Sequence, residues 1–84
     1  MLTNQQVRSA VEGAFAPLRS VAEFWDNDQK LRLRVFDSKD KIVLAYPEQV
    51  VGAIRDVESL RAFLEMLRGQ VQTKGYRLGP FRVL

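Results

Sequence analysis

Val7, Val11, Ala14, Phe15 and Leu18 recur at intervals of three and four, the spacing of one face of an α-helix. Thr3, followed three residues later by Gln6, has the form of a capping box and marks the helix start. Pro17 cannot lie deep in a helix interior, so the pattern predicts a first helix over 4–16. The period then changes. From 30 to 35 basic and apolar residues alternate without a miss, placing Leu31, Leu33 and Val35 on one side and Lys30, Arg32 and Arg34 on the other. Three cations cannot face an apolar core, so the strand predicted over 30–37 has one dry side and one open to solvent or a partner.

Flanking strands are predicted over 20–25 and 41–46. Polar turns stand at Asp26-Asn27-Asp28-Gln29 and Ser38-Lys39, and Pro47 closes the third strand. Connections this short imply an antiparallel meander. Phe24 should face Leu31, which sets Glu23 opposite Arg32 as a cross-strand ion pair. Ile42, Leu44 and Tyr46 should join Leu31, Leu33 and Val35 on the core side. The outer side then holds Val21, Glu23, Trp25, Lys30, Arg32, Arg34, Phe36, Lys41, Val43 and Ala45. Residues 48–55 show no clean period and read as a connecting loop.

A second helix follows Asp56 as N-cap, with Leu60, Leu64, Leu67 and Val71 as its buried stripe, widened by Val57 and Phe63. Its other side carries Glu58, Arg61, Glu65, Arg68 and Gln72, with Arg61, Glu65 and Arg68 within pairing distance. Gly75 suits the position just past the helix end. The predicted fold is an α+β two-layer sandwich in the order α-β-β-β-α, both helices on one face of the sheet. Residues 1–75 form the domain. Residues 76–84 form an extended tail, and Tyr76, Leu78, Phe81, Val83 and Leu84 make docking on the domain the expectation.

Composition narrows the chemistry. The chain has no cysteine and no histidine, which removes disulfides, Cys/His zinc sites, thiol nucleophiles and the commonest general base. The net charge of +3 is uneven: residues 66–84 contribute four basic side chains and no acid, while the rest is nearly balanced. A basic tail is weak support for nucleic-acid binding by the domain. No apolar run is long enough to span a bilayer, so no membrane role is expected. The first six residues lack the basic and apolar regions of a signal peptide, so a cytoplasmic location is expected.

Three segments carry a resemblance: Val11-Glu12-Gly13-Ala14-Phe15-Ala16-Pro17-Leu18-Arg19, Leu33-Arg34-Val35-Phe36-Asp37, and Ser59-Leu60-Arg61-Ala62-Phe63-Leu64. Together they resemble a family of short bacterial proteins, common in pseudomonads, known as domain of unknown function 1652. The resemblance implies a small cytoplasmic protein and supplies no site residues.

Candidate chemistry concentrates on the outer sheet face, where Trp25, Lys30, Arg32, Arg34, Phe36, Lys41 and Val43 mix aromatic, apolar and cationic side chains. Trp25 and Phe36 beside Val21 and Val43 would make an apolar patch of the kind monomers seldom leave open. The leading expectation is a non-catalytic interaction or regulatory domain that self-associates as a homodimer through this face. Its alternative is a small nucleic-acid-binding protein that stacks bases on the aromatics. The element order is also that of double-stranded-RNA-binding domains, but the turn entering the second helix, Arg55-Asp56-Val57-Glu58-Ser59, is net acidic. Asp26, Asp28, Asp37 and Asp40 sit in two turns, where aspartate is favoured for backbone reasons, and lack the glycine and glutamate of a calcium loop. No enzyme motif, cofactor or metal is therefore expected.

Overall fold

The computed structural model describes residues 1–83. Helix α1 (Asn4–Gly13) is followed by strands β1 (Arg19–Trp25), β2 (Lys30–Phe36) and β3 (Ile42–Val50), a 3-10 turn (Val51–Ile54) and helix α2 (Val57–Thr73). The strands form one antiparallel sheet in the order β1-β2-β3. This is the α+β organisation that the hydrophobic pattern predicts. Among the described residues no helix is long and apolar enough to cross a membrane.

Both helix starts follow their local chemistry. Gln6 N–H donates to the Thr3 hydroxyl while the Gln6 side chain accepts from Thr3 N–H, completing the capping box. Asp56 accepts from Ser59 N–H at 2.9 Å at the head of α2. Gly75 takes φ +97°, a conformation that costs glycine little, and ends α2. Helix α1 stops at Gly13, three residues short of the expected end. The Ala14 N–H bonds the Val11 carbonyl three residues back, so the last turn tightens and the i→i−4 ladder ends there. Ala14 and Phe15 nevertheless stay fully buried in the turn that follows.

One face of the sheet and one stripe of each helix share a single core. Val7, Val11, Leu31, Leu33, Val35, Leu60, Leu64, Leu67 and Val71 are all sealed from solvent. Tyr46 packs edge-on against Phe63 of α2, ring centroids 5.3 Å apart.

The first hairpin has the expected register, with Phe24 opposite Leu31 and Glu23 opposite Arg32. The ion pair, however, runs diagonally, from Arg34 Nη2 to Glu23 Oε1 at 2.8 Å. The second hairpin departs further. Val35 pairs with Leu44 but Phe36 pairs with Ile42, so Val43 is an extra residue in a bulge. The bulge exchanges two expected positions. Val43 is buried at 4% exposure instead of lying on the outer face, and Ile42 is 52% exposed instead of lying in the core.

Strand β3 also runs through Pro47 to Val50. Proline is tolerated there because β3 is an edge strand, and a second register shift falls between the positions opposite Leu31 and Leu33. The expected loop at 48–55 is instead strand and 3-10 turn, with Val51 and Ile54 buried as core residues. Their spacing of three was the missed signal.

Residues 76–83 run extended over the helical layer. Gly79 N–H donates to the Ala16 carbonyl at 2.8 Å, and Val83 is buried in the core. Phe81 lies under the Arg68 guanidinium at 4.6 Å, and Arg68 also donates to the Ala14 carbonyl. Arg68 therefore ties the tail and the end of α1 to α2, in place of the charged ladder with Arg61 and Glu65 that helical spacing suggests. Leu84 lies outside the described residues.

Asp37 joins the tail to the β2–β3 turn. One carboxylate oxygen accepts from Lys39 and Lys41 N–H, and the other accepts from the Tyr76 hydroxyl at 3.1 Å. The bond from Lys41 N–H, foremost, holds the Asp37 carboxyl below the usual carboxylate range, and the Asp37 carboxylate pushes the Tyr76 phenol up. A depressed folded-state pKa gives stability that is present above the unfolded value and lost as pH falls through the folded one. Asp37→Asn is thus expected to lower the melting temperature at neutral pH, the gap to wild type closing as the carboxylate protonates in acid. A melting series from about pH 2 to pH 7 checks this, and parallel curves would refute it.

Candidate functional site

The solvent side of the sheet receives Val21, Glu23 and Trp25 from β1 and Lys30, Arg32, Arg34 and Phe36 from β2, because successive side chains alternate faces. Ile42 opposite Phe36, Ala45 opposite Arg34 and Val50 opposite Lys30 complete it from β3. Five of the expected site residues therefore share this face: Trp25, Lys30, Arg32, Arg34 and Phe36. The other two do not. Val43 is in the core for the reason given above, and Lys41 lies in the turn before β3, its N–H bonded to Asp37.

The two aromatics stand at opposite ends of β2's neighbourhood. Trp25 is level with Lys30 and Phe36 is level with Arg19, six residues or about 20 Å apart along the strand. With Val43 inside, the single contiguous apolar patch divides in two. One end holds Trp25 and Val50, the other Phe36 and Ile42 followed by Val21 and Ala45 beside Arg34, and Glu23 and Arg32 lie between.

Cations already sit on both rings. Arg19 stacks over Phe36 at 4.2 Å, and Lys30 and Arg32 approach the Trp25 ring at 4.9 and 5.7 Å. Among the described residues the indole Nε1 of Trp25 is the one buried side-chain nitrogen or oxygen with no hydrogen-bond partner. Arg19 joins this face as the first residue of β1, one position before the strand start that the sequence pattern predicts.

Most charge on this face is internally matched. Lys30 lies 3.7 Å from Asp26 and 3.6 Å from Glu48, Arg34 bonds Glu23, and Arg19 bonds Asp40. Arg32 has no carboxylate partner among the described residues. Arg32 and Arg34 border a shallow depression of about 260 Å³, closed by Ala45 and Pro47.

Both sheet edges are partly closed. On β1, Ala22 N–H donates to Glu12 Oε2 at 3.2 Å and Ala22 C=O accepts from Arg8 at 2.6 Å, so α1 side chains occupy that edge. Since Ala22 turns its groups away from β2, alternation along the ladder turns those of Ala45 to the open edge of β3. On either side of Ala45, the Val43 carbonyl accepts from Lys74 Nζ and Pro47 has no N–H. Ala45 is thus the accessible pairing point of an edge otherwise blunted by bulges, a lysine and a proline.

Elsewhere, Arg55, the cation of the turn entering α2, is engaged by the Leu2 carbonyl and Asn4 Oδ1. The aspartates of the two turns serve the backbone: Asp26, Asp28 and Asp40 hold positive φ, a conformation aspartate tolerates, and Asp37 caps its turn. Among the described residues no group of three or more potential metal-ligating side chains is gathered. No protein-family model, curated protein or solved structure matches the chain.

Proposed function

We propose that this chain is a non-catalytic protein-interaction domain that engages its partner through the solvent side of its sheet. The observation that carries the reading is the state of that face: a tryptophan flanked by two cations, half-exposed Ile42 and Val50, and an unmatched Arg32, none of which the tail covers. The tail instead contacts Ala16, Arg68 and, through Tyr76, Asp37 at the end of the sheet. Tryptophan and arginine are the side chains most enriched where partners bind tightly.

A panel of peptides of unbiased sequence, probed with purified protein, tests the reading. Binding should fall at least about tenfold in Trp25→Ala/Arg32→Ala, the loss expected for central anchor residues, and persist in Arg61→Ala/Glu65→Ala on the far face of α2. Equal binding by both variants would refute it.

A second reading is favoured by the same cation-flanked rings, since aromatic and basic residues on a sheet also suit single-stranded nucleic acid. Against it, Lys30, Arg34 and Arg19 are already paired with carboxylates. A gel shift with an oligothymidylate at two salt concentrations decides: tight, salt-sensitive binding would favour nucleic acid.

A further inference from the structure

The geometry points to an extended acidic peptide segment as the occupant of this face, laid against β3 at Ala45 with a carboxylate reaching Arg32 and Arg34. This rests on the sheet face being the interaction surface, and names what that surface takes. Three observations lead there.

The first is charge. Once the internal pairs are formed, with Lys30 taking both Asp26 and Glu48, Arg32 is the one cation of the face without a carboxylate among the described residues, and Arg34 is committed through a single Nη. A guanidinium presents a planar fork of donors that a carboxylate accepts in two-point fashion. The second is the edge. Ala45 offers a free N–H and C=O between a bulge and a proline, enough for a short strand to pair at one residue but not for a long ladder. The third is room. A residue paired with Ala45 points its side chain to the same face, and the Ala45 methyl leaves the way clear across β3 to the depression that Arg32, Arg34 and Pro47 line.

Size argues for a segment over a second copy. Three strands about 4.8 Å apart and seven to nine residues long outline roughly 350 Å². Stable association of two folded surfaces takes about 800 Å² from each. The pairing of Lys30, Arg34 and Arg19 likewise leaves few cations for successive phosphates.

Trp25 is the only tryptophan, and Arg32 lies against it, so its emission reports on the site. The probe is the end-blocked peptide Glu-Thr-Glu-Thr-Glu, titrated into the full chain at low salt. Saturable binding with a change in Trp25 emission is expected, weakened about tenfold by Arg32→Gln, by the glutamine analogue of the peptide and by N-methylation of its central glutamate. Arg61→Gln, an exposed change on α2, should leave it unaltered, and melting temperatures confirm that each variant is folded. Binding that ignores Arg32→Gln or the N-methyl group would overturn the proposal. So would tighter binding of an oligothymidylate at the same salt, which would assign the face to nucleic acid. Sedimentation showing self-association abolished by Arg32→Gln would overturn it in favour of a second copy. Failure of the acidic peptide while the unbiased panel still binds through Trp25 and Arg32 would overturn this inference and leave the interaction domain standing.

Discussion

Leu64→Ala is expected to destabilise the domain by about 2–5 kcal/mol, and Arg61→Ala by less than about 0.5 kcal/mol. Leu64 has no solvent exposure and sits in the stripe of α2 that closes the core over the sheet. Truncating it removes transfer free energy and leaves a cavity that Leu60 and Leu67, one turn away on the same stripe, fill only in part. Arg61, three residues away, points to solvent and makes no ion pair among the described residues. In a domain of this size each kcal/mol moves the midpoint by roughly 4–8 °C, so the two variants separate clearly in a thermal melt. Equal shifts would mean that α2 is rotated about its axis relative to the fold described.

Truncation after Gly75 should cost about 2–4 kcal/mol, the loss of burial of two or three sizeable side chains. Val83 is buried in the core, Tyr76, Leu78 and Phe81 pack against it, and Gly79 donates to Ala16. Removing them also exposes one side of Arg68, which holds the Ala14 carbonyl from α2. The truncated chain should therefore melt well below the full chain, with faster hydrogen exchange around Ala14–Leu18. A truncated protein melting at the full-length temperature would show that the tail contributes nothing to the fold.

The parts legible from sequence were those governed by a local period. Alternation over Lys30–Phe36 set the two faces of β2, the 3–4 spacing of Leu60, Leu64, Leu67 and Val71 set the phase of α2, and Thr3 and Asp56 marked the helix starts. The first hairpin followed because a four-residue turn leaves little choice of register. What was hidden depended on interruptions of a period. A bulge at Val43 makes Ile42 and Val43 change faces while Leu44, Ala45 and Tyr46 keep theirs, and an apolar run such as Ile42-Val43-Leu44 does not say which member is the extra residue. Pro47 looked like a terminator because its tolerance depends on β3 being an edge, a property of the sheet and not of the segment.

The candidate face was legible by the same rule and limited by the same exceptions. Trp25, Lys30, Arg32, Arg34 and Phe36 were placed together by alternation alone. That the aromatics are each covered by a cation, and that among the described residues the charge is internally matched except at Arg32, depends on diagonal and inter-strand contacts. Neither was visible in the linear order. Arg34 bonding Glu23 in place of Arg32 is the clearest case, because both partners lie within one side-chain length of the glutamate.

The central claim, that the solvent side of the sheet is where this protein meets its partner, is tested most directly by mapping backbone amide shifts by NMR. The ligand would be the tightest-binding peptide of the unbiased panel. The largest changes should fall at Trp25, Arg32, Arg34 and Ala45, with the indole N–H of Trp25 among them. Changes clustered instead at Arg61, Glu65 and Met66 on the outer side of α2, with Trp25 unmoved, would contradict it.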